Sequence, residues 1–163
     1  MTPRDIAFVL RCSGAATLAY ALAAALGLQH PVWASITGVI VSQDNLDQTR
    51  SAVIWRFAGT VVGIAVAVIA GSLIAVAGWG TAAQTGISVA LCAALVRRWP
   101  DLKVAMWTAP ILFFARDPNV TLLSAGYWRG SEVVLGGLTG VALHLMAEQA
   151  MTWLEQKLAA RDR

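Results

Sequence analysis

PVWASITGVIVSQDNLDQTRSAVIWRFAGTVVG, residues 31–63, joins a short apolar segment to a polar, acid-containing turn and then to a long apolar segment opening with Trp55-Arg56. About 73 residues later the same plan recurs in degenerate form. YWRGSEVVLG (127–136) lies over IWRFAGTVVG (54–63), pairing Trp128 with Trp55, Arg129 with Arg56, Val134 with Val61 and Gly136 with Gly63. At that offset Asp117 falls on Asp44 and Lys103 on His30, so the turn acid and the short segment before it keep the register. The pattern predicts a two-fold internal repeat.

Composition sets the class. The chain is 58% hydrophobic and 13% charged, far from a soluble domain of this length. Its apolar runs exceed what a 163-residue globule can bury, so lipid must solvate much of the surface. The net charge of +3 does not point to nucleic acid, because the basic residues sit in short loops between apolar runs, which is a topology signal. Cys12 and Cys92 lie inside apolar segments without paired spacing, so neither a disulfide framework nor a metal site follows.

Working outward, Ile6–Leu28 is the first candidate span. Met1–Gly27 also imitates a signal peptide, with Arg4 in front and ALAAALG at the end. Arg11 interrupts the apolar region, and a retained helix is expected. Gln29-His30-Pro31 turns the chain, with Pro31 suited to opening a helix. Pro31–Gln43 has 13 residues, about 20 Å as a helix, against a hydrocarbon core of about 30 Å. This segment is short for a span. Asp44–Arg50 reads as a polar turn and Ala52–Ala77 as a full span carrying Gly59-xxx-Gly63, a close-packing signal. Gly78-Trp79-Gly80 ends it. Ala82–Val96 is the fourth span, and Val104–Ala115 is short again, with Pro110 inside. After the turn at residues 116–119, the last span begins at Val120 or Arg129 and runs to Ala147, with Gly136-xxx-Gly140 in the matching position. Residues 151–163 read as an amphipathic cytoplasmic tail.

With the N-terminus inside, the cytoplasmic ends collect ten Lys and Arg residues, and the opposite side keeps only Arg116 and Arg129. This is a strong positive-inside bias. The expected architecture is an all-α integral membrane protein: one domain over residues 1–150 with six transmembrane helices and both termini cytoplasmic. Each repeat (about 5–78 and about 79–148) holds three spans, an odd number, so the two must be inverted relative to one another, as in transporter-type folds.

The same stretch carries a family resemblance. PVWASITGVIVSQ (31–43), then Thr49, then RFAGTVVG (56–63) resembles the FUSC (fusaric acid resistance) superfamily, which includes bacterial aromatic acid exporters and plant aluminium-activated malate channels. The Pro-x-Trp-Ala opening, Thr37, Gln43, Thr49 and the Arg-xx-Gly-Thr-xx-Gly core match its pattern, and the resemblance covers roughly 5–147. It implies a bacterial inner-membrane transporter or channel for small organic anions, with efflux of aromatic or other carboxylates the leading expectation. The sequence departs from many bacterial relatives in having neither a large cytosolic domain nor a second six-span set. Two chains are therefore expected to associate as a homodimer, embedded in membrane lipid. The alternative is a non-transporting membrane scaffold that assembles with a separate partner.

Ionisable groups within apolar spans cost about 2.5–3.5 kcal/mol each at a helix centre. The set comprises Arg11, Arg56, Arg129, Glu132 and His144. Arg56 and Arg129 are candidates to attract a carboxylate, one from each side of the membrane. They can equally snorkel beside Trp55 and Trp128, or pair with Asp44, Asp47 or Glu132. Arg11 is a pathway candidate that can also snorkel, and His144 either accepts a coupling proton or reaches water. On the short segments Thr37, Ser42, Gln43 and Thr108 offer hydrogen bonds to an anion. Trp33 and Trp107 either stack on an aromatic substrate or anchor and pack helices. No GxxxxGK[ST], HExxH or GxSxG occurs, so neither an enzyme nor an ATP-driven pump is expected, and no cofactor or metal.

Overall fold

The computed structural model describes residues 2–115, 117 and 119–161; the expected turn at 116–119 falls in part outside them, as do the last two residues of the tail. Among the described residues the regular structure is entirely helical: α1 (Pro3–Ala25), α2 (Pro31–Val41), α3 (Leu46–Val76), α4 (Thr81–Arg98), a 3₁₀ segment (Pro100–Val104), α5 (Ala105–Phe114) and α6 (Leu122–Arg161). Among the described residues three stretches are long and apolar enough to cross a membrane: Pro3–Ala25, Leu46–Val76 and Leu122–Ala160.

The helix ends follow local chemistry. Thr2 caps α1 in a reciprocal capping box with Asp5. The Asn45 side chain accepts from the Gln48 amide at 2.9 Å and Thr121 Oγ1 accepts from the Ser124 amide at 3.2 Å, so α3 and α6 begin on side-chain caps. Most of Asp44–Arg50, expected as a turn, is consequently the first turn of α3, where Asp47 favours the helix dipole. The Thr121 cap also decides between the two expected starts of the last helix. Its far end differs from expectation: span and tail are one continuous helix, because residues 147–151 (AEQAM) contain no Gly or Pro to stop it. Gly27 (φ 68°) and Gly78 (φ 79°) close α1 and α3. In each case the glycine amide donates three residues back and the next amide five back, the paired bonds that require a left-handed residue.

The chain packs as two compact units. The first takes residues up to Val53 and those from Val134 onward, hence α1, α2, the start of α3 and most of α6; the second is Ile54–Val133, with the rest of α3, α4, α5 and the start of α6. The boundary expected near residue 78 divides the sequence, whereas the packing units run across it. In the first unit α2 lies on α6: a Cβ at Gly136 would strike the Ala34 carbonyl oxygen and come within 2.8 Å of Thr37 Cβ, and one at Gly140 would strike Val41. In the second unit α5 lies on α3: a Cβ at Gly63 would stand 2.6 Å from Thr108 Cβ and 2.9 Å from the Ala105 oxygen, and one at Gly59 2.8 Å from Val104 Cβ. Both glycine pairs therefore act as the close-packing surfaces the sequence predicts.

These contacts refine the repeat. Gly63 and Gly136 are 73 residues apart (136 − 63), but the residues they receive, Ala34 with Thr37 and Ala105 with Thr108, are 71 apart (105 − 34 and 108 − 37). The short helices thus correspond two residues out of the register that aligns the long ones. Trp33 and Trp107, 74 residues apart (107 − 33), match in neither register.

Burial is distributed as in a lipid-solvated protein. The largest fully buried side chains include His144, Glu132, Thr37, Thr49, Thr60 and Thr108, while Leu10, Ile69, Leu73, Leu123 and Leu138 are exposed. A soluble core has the opposite preference.

Candidate functional site

Each unit encloses its own buried polar cluster. In the first, Arg11 on α1 donates from Nη1 to His144 Nδ1 on α6 at 2.9 Å and from Nη2 to the Gln43 carbonyl. Thr49 Oγ1 on α3 stands 2.9 Å from the same Nδ1 and accepts from the Gln43 amide at 3.2 Å. The Gln43 side chain turns back onto the Ile40 carbonyl at 2.6 Å. The Gln43 carbonyl, just past the end of α2, is thereby satisfied by a side chain from α1, and its amide, which also donates to the Val41 carbonyl at 3.0 Å, gains a second acceptor from α3. His144 Nε2 lies 3.8 Å from Glu148 Oε1. A cleft of about 350 Å³ adjoins Arg11, lined by Arg4, Asp5, Phe8, Asp44 and Glu148 among others.

In the second unit Arg56 on α3 and Arg129 on α6 are both 3% exposed, and Glu132 is buried one turn beyond Arg129. The two guanidinium groups are near enough to repel one another, and Glu132 near enough to attract Arg129. This differs from the expectation of one arginine on each side of the membrane: the two act as one cluster. Neither snorkels, since both are buried. Arg56 Nε has no hydrogen-bond partner among the described residues. Thr60 Oγ1 donates to the Arg56 carbonyl at 2.8 Å and Thr108 Oγ1 to the Val104 carbonyl at 3.0 Å.

The sequence-derived candidates thus divide. Arg11 meets Gln43, and Arg56 meets Arg129. Thr37 is buried under Gly136 with its hydroxyl unpartnered among the described residues, and Thr108 is buried under Gly63 with its hydroxyl spent on its own helix. Trp33 is half-buried. Trp107 is 44% exposed, which favours anchoring over stacking on a substrate inside its unit. Sequence reasoning underrated His144 and Thr49. A histidine within an apolar span is a visible signal, and Thr49 belongs to the family pattern; what no spacing revealed is that the two meet on one ring nitrogen. Among the described residues no group of His, Cys, Asp or Glu has a metal-holding arrangement.

Long apolar helices, outward-facing apolar side chains and charges enclosed among them define a membrane protein. Residues 18–143 match the family model for fusaric acid resistance protein-like proteins, well over half of the chain. The chain belongs to that family, whose description points to membrane transport in the sense of resistance or export. No curated protein and no solved structure matches it.

Proposed function

We propose that the protein carries small organic anions across the bacterial inner membrane, aromatic or other carboxylates in the first place, as a transporter or channel without enzymatic activity of its own. The observation that carries this reading is the Arg56–Arg129–Glu132 cluster. Two guanidinium groups against one carboxylate leave an excess positive charge inside the membrane-crossing helices, where a charge is costly unless it has a partner or a use. A guanidinium stays charged at any relevant pH and presents a fork of donors matched to a carboxylate. The arrangement of α2 on Gly136 and α5 on Gly63 supports two equivalent halves. With the charge bias of the loops it supports six membrane-embedded segments in inverted repeats, both termini cytoplasmic. A homodimer completes the reading.

Carboxylate flux into liposomes, normalised to folded protein, tests the proposal. Arg56→Ala is expected to lower it at least tenfold, the equivalent of one lost charge-assisted hydrogen bond of about 1.5–3 kcal/mol, and Arg56→Lys to restore it only in part. Unchanged normalised flux in Arg56→Ala removes the residue from the pathway. Absence of flux in the unaltered protein leaves the scaffold reading in its place. Labelling of cysteines introduced at Asn45 and Asn119 from the same face of the membrane overturns the inverted repeat.

A further inference from the structure

Arg11 and His144 hold one another in a way that makes proton binding and arginine release a single event. A guanidinium has no lone pair to offer and does not give up its proton. Its Nη1 at 2.9 Å from His144 Nδ1 therefore requires Nδ1 to be the acceptor. The neutral ring then carries its hydrogen on Nε2, the nitrogen on the Glu148 side. Nδ1 has a single lone pair. A proton arriving there takes it and breaks the Arg11 bond. Thr49 Oγ1, already 2.9 Å away, accepts only the Gln43 amide in the neutral state and has a second lone pair for the new Nδ1–H. The ring stays bonded throughout, and only Arg11 loses a partner.

We infer that the cleft beside Arg11 is a proton-linked anion site, in which a proton taken up by His144 at Nδ1 frees the Arg11 guanidinium for a carboxylate. The step balances: one proton enters from solvent, one hydrogen bond from Arg11 is exchanged for one to Thr49, and the added positive charge is matched by the incoming anion. The charged groups that face this place are accounted for on every element. On α1, Arg4 is engaged with Glu155 at 3.0 Å, and Asp5 accepts from the Thr2 amide at 2.7 Å in the helix cap. On α6, Glu148 faces the ring and attracts a protonated His144, whereas Arg11 repels it. From the turn before α3, Asp44 lines the cleft and is the internal competitor for the freed Arg11. The inference rests on the organic-anion reading for the identity of the anion, and supplies that reading with a coupling ion.

The chain contains two histidines, so His30→Gln leaves His144 as the sole imidazole. ¹⁵N NMR of that variant in nanodiscs is expected to show the neutral ring with its hydrogen on Nε2, and the Arg11 side-chain resonance shifting with the same midpoint as the ring titrates. A neutral ring protonated on Nδ1, or an Arg11 signal indifferent to the titration, overturns the proposal. Benzoate titration calorimetry in buffers of different ionisation heat is expected to give uptake of about one proton per benzoate and tighter binding as pH falls. Arg11→Gln is expected to weaken benzoate roughly tenfold or more, the loss of a charge-assisted bond, while His144 still titrates. Asp44→Asn is expected to tighten it. In His144→Gln the pH dependence is expected to vanish; an unaltered pH slope there sinks the proposal. If benzoate binds as described but never crosses a liposome membrane, the transport reading fails and the proton-linked site stands.

Discussion

The two units share a frame and differ in what they enclose. Each lays a short apolar helix across a glycine pair of a long helix, and each puts an alanine carbonyl and a threonine against one glycine of the pair: Ala34 and Thr37 on Gly136, Ala105 and Thr108 on Gly63. Inside that common frame the first unit hydrogen-bonds its buried arginine to a histidine and a backbone carbonyl, with a threonine on the same histidine nitrogen. The second sets two arginines near one glutamate. The first cluster is a set of hydrogen bonds around one imidazole; the second sets two guanidinium groups near one carboxylate. The two units are thus alike in their packing residues and differ in their polar ones, because the glycine contacts are dictated by backbone approach and the polar positions only by the need to satisfy what is buried.

The comparison breaks most visibly at the glycines. Val in place of Gly136 or Gly63 must push apart a helix pair already in backbone contact, and overpacking of this kind costs about 1–3 kcal/mol or more. Both substitutions are expected to abolish most monodisperse protein in detergent size-exclusion chromatography; tolerance at one site and not the other would show that the units are not equivalent frames. Next comes Glu132→Gln, which removes the carboxylate beside two buried guanidinium groups. Breaking a buried pair costs about 3–5 kcal/mol, here reduced in its visible effect because the helices still pack, and a lowered unfolding midpoint with folded protein still recoverable is expected. A midpoint that rises would mean that burying the Glu132 charge costs more than its attraction to Arg129 returns.

A finer contrast lies between the two threonines. Thr108→Val loses a hydroxyl bonded to Val104, worth about 0.5–1.5 kcal/mol. Thr37→Val removes a hydroxyl with no partner among the described residues, so stability is expected to hold or rise. If flux normalised to folded protein nonetheless falls in Thr37→Val, that hydroxyl serves the substrate. Gly27→Ala and Gly78→Ala are each expected to lose about 1–2 kcal/mol for a left-handed alanine, and by equal amounts, since both glycines end a helix in the same pair of bonds.

Several features were legible without coordinates. The lipid-solvated class follows from composition, because no globule of this length can hide so much apolar surface. The six apolar segments reappear as helices, most of their ends within a few residues of those read from the sequence, the start of α3 and the far end of α6 excepted; capping residues, glycines and prolines act locally and can be read locally. The family was legible in Pro31–Gly63, where order and spacing of individually loose motifs combine, and residues 18–143 bear it out. The glycine pairs 59/63 and 136/140 were legible as packing surfaces for the same local reason.

What the sequence left open is which partner each surface meets. It aligned the halves at a single offset, yet the short helices dock two residues away from it, since docking is set by where Thr37 and Thr108 fit under a glycine and not by chain position. It assigned Arg56 and Arg129 to opposite sides, because an inverted repeat places equivalent residues at opposite depths unless they lie near its centre, and a linear pattern does not say how far from the centre a residue is. It could name Arg11, Gln43, Thr49 and His144 one by one. Only the tertiary structure, by bringing α1, α3 and α6 around the end of α2, puts an arginine and a threonine on one nitrogen of a buried histidine, where a lone pair can serve a guanidinium or a proton but not both.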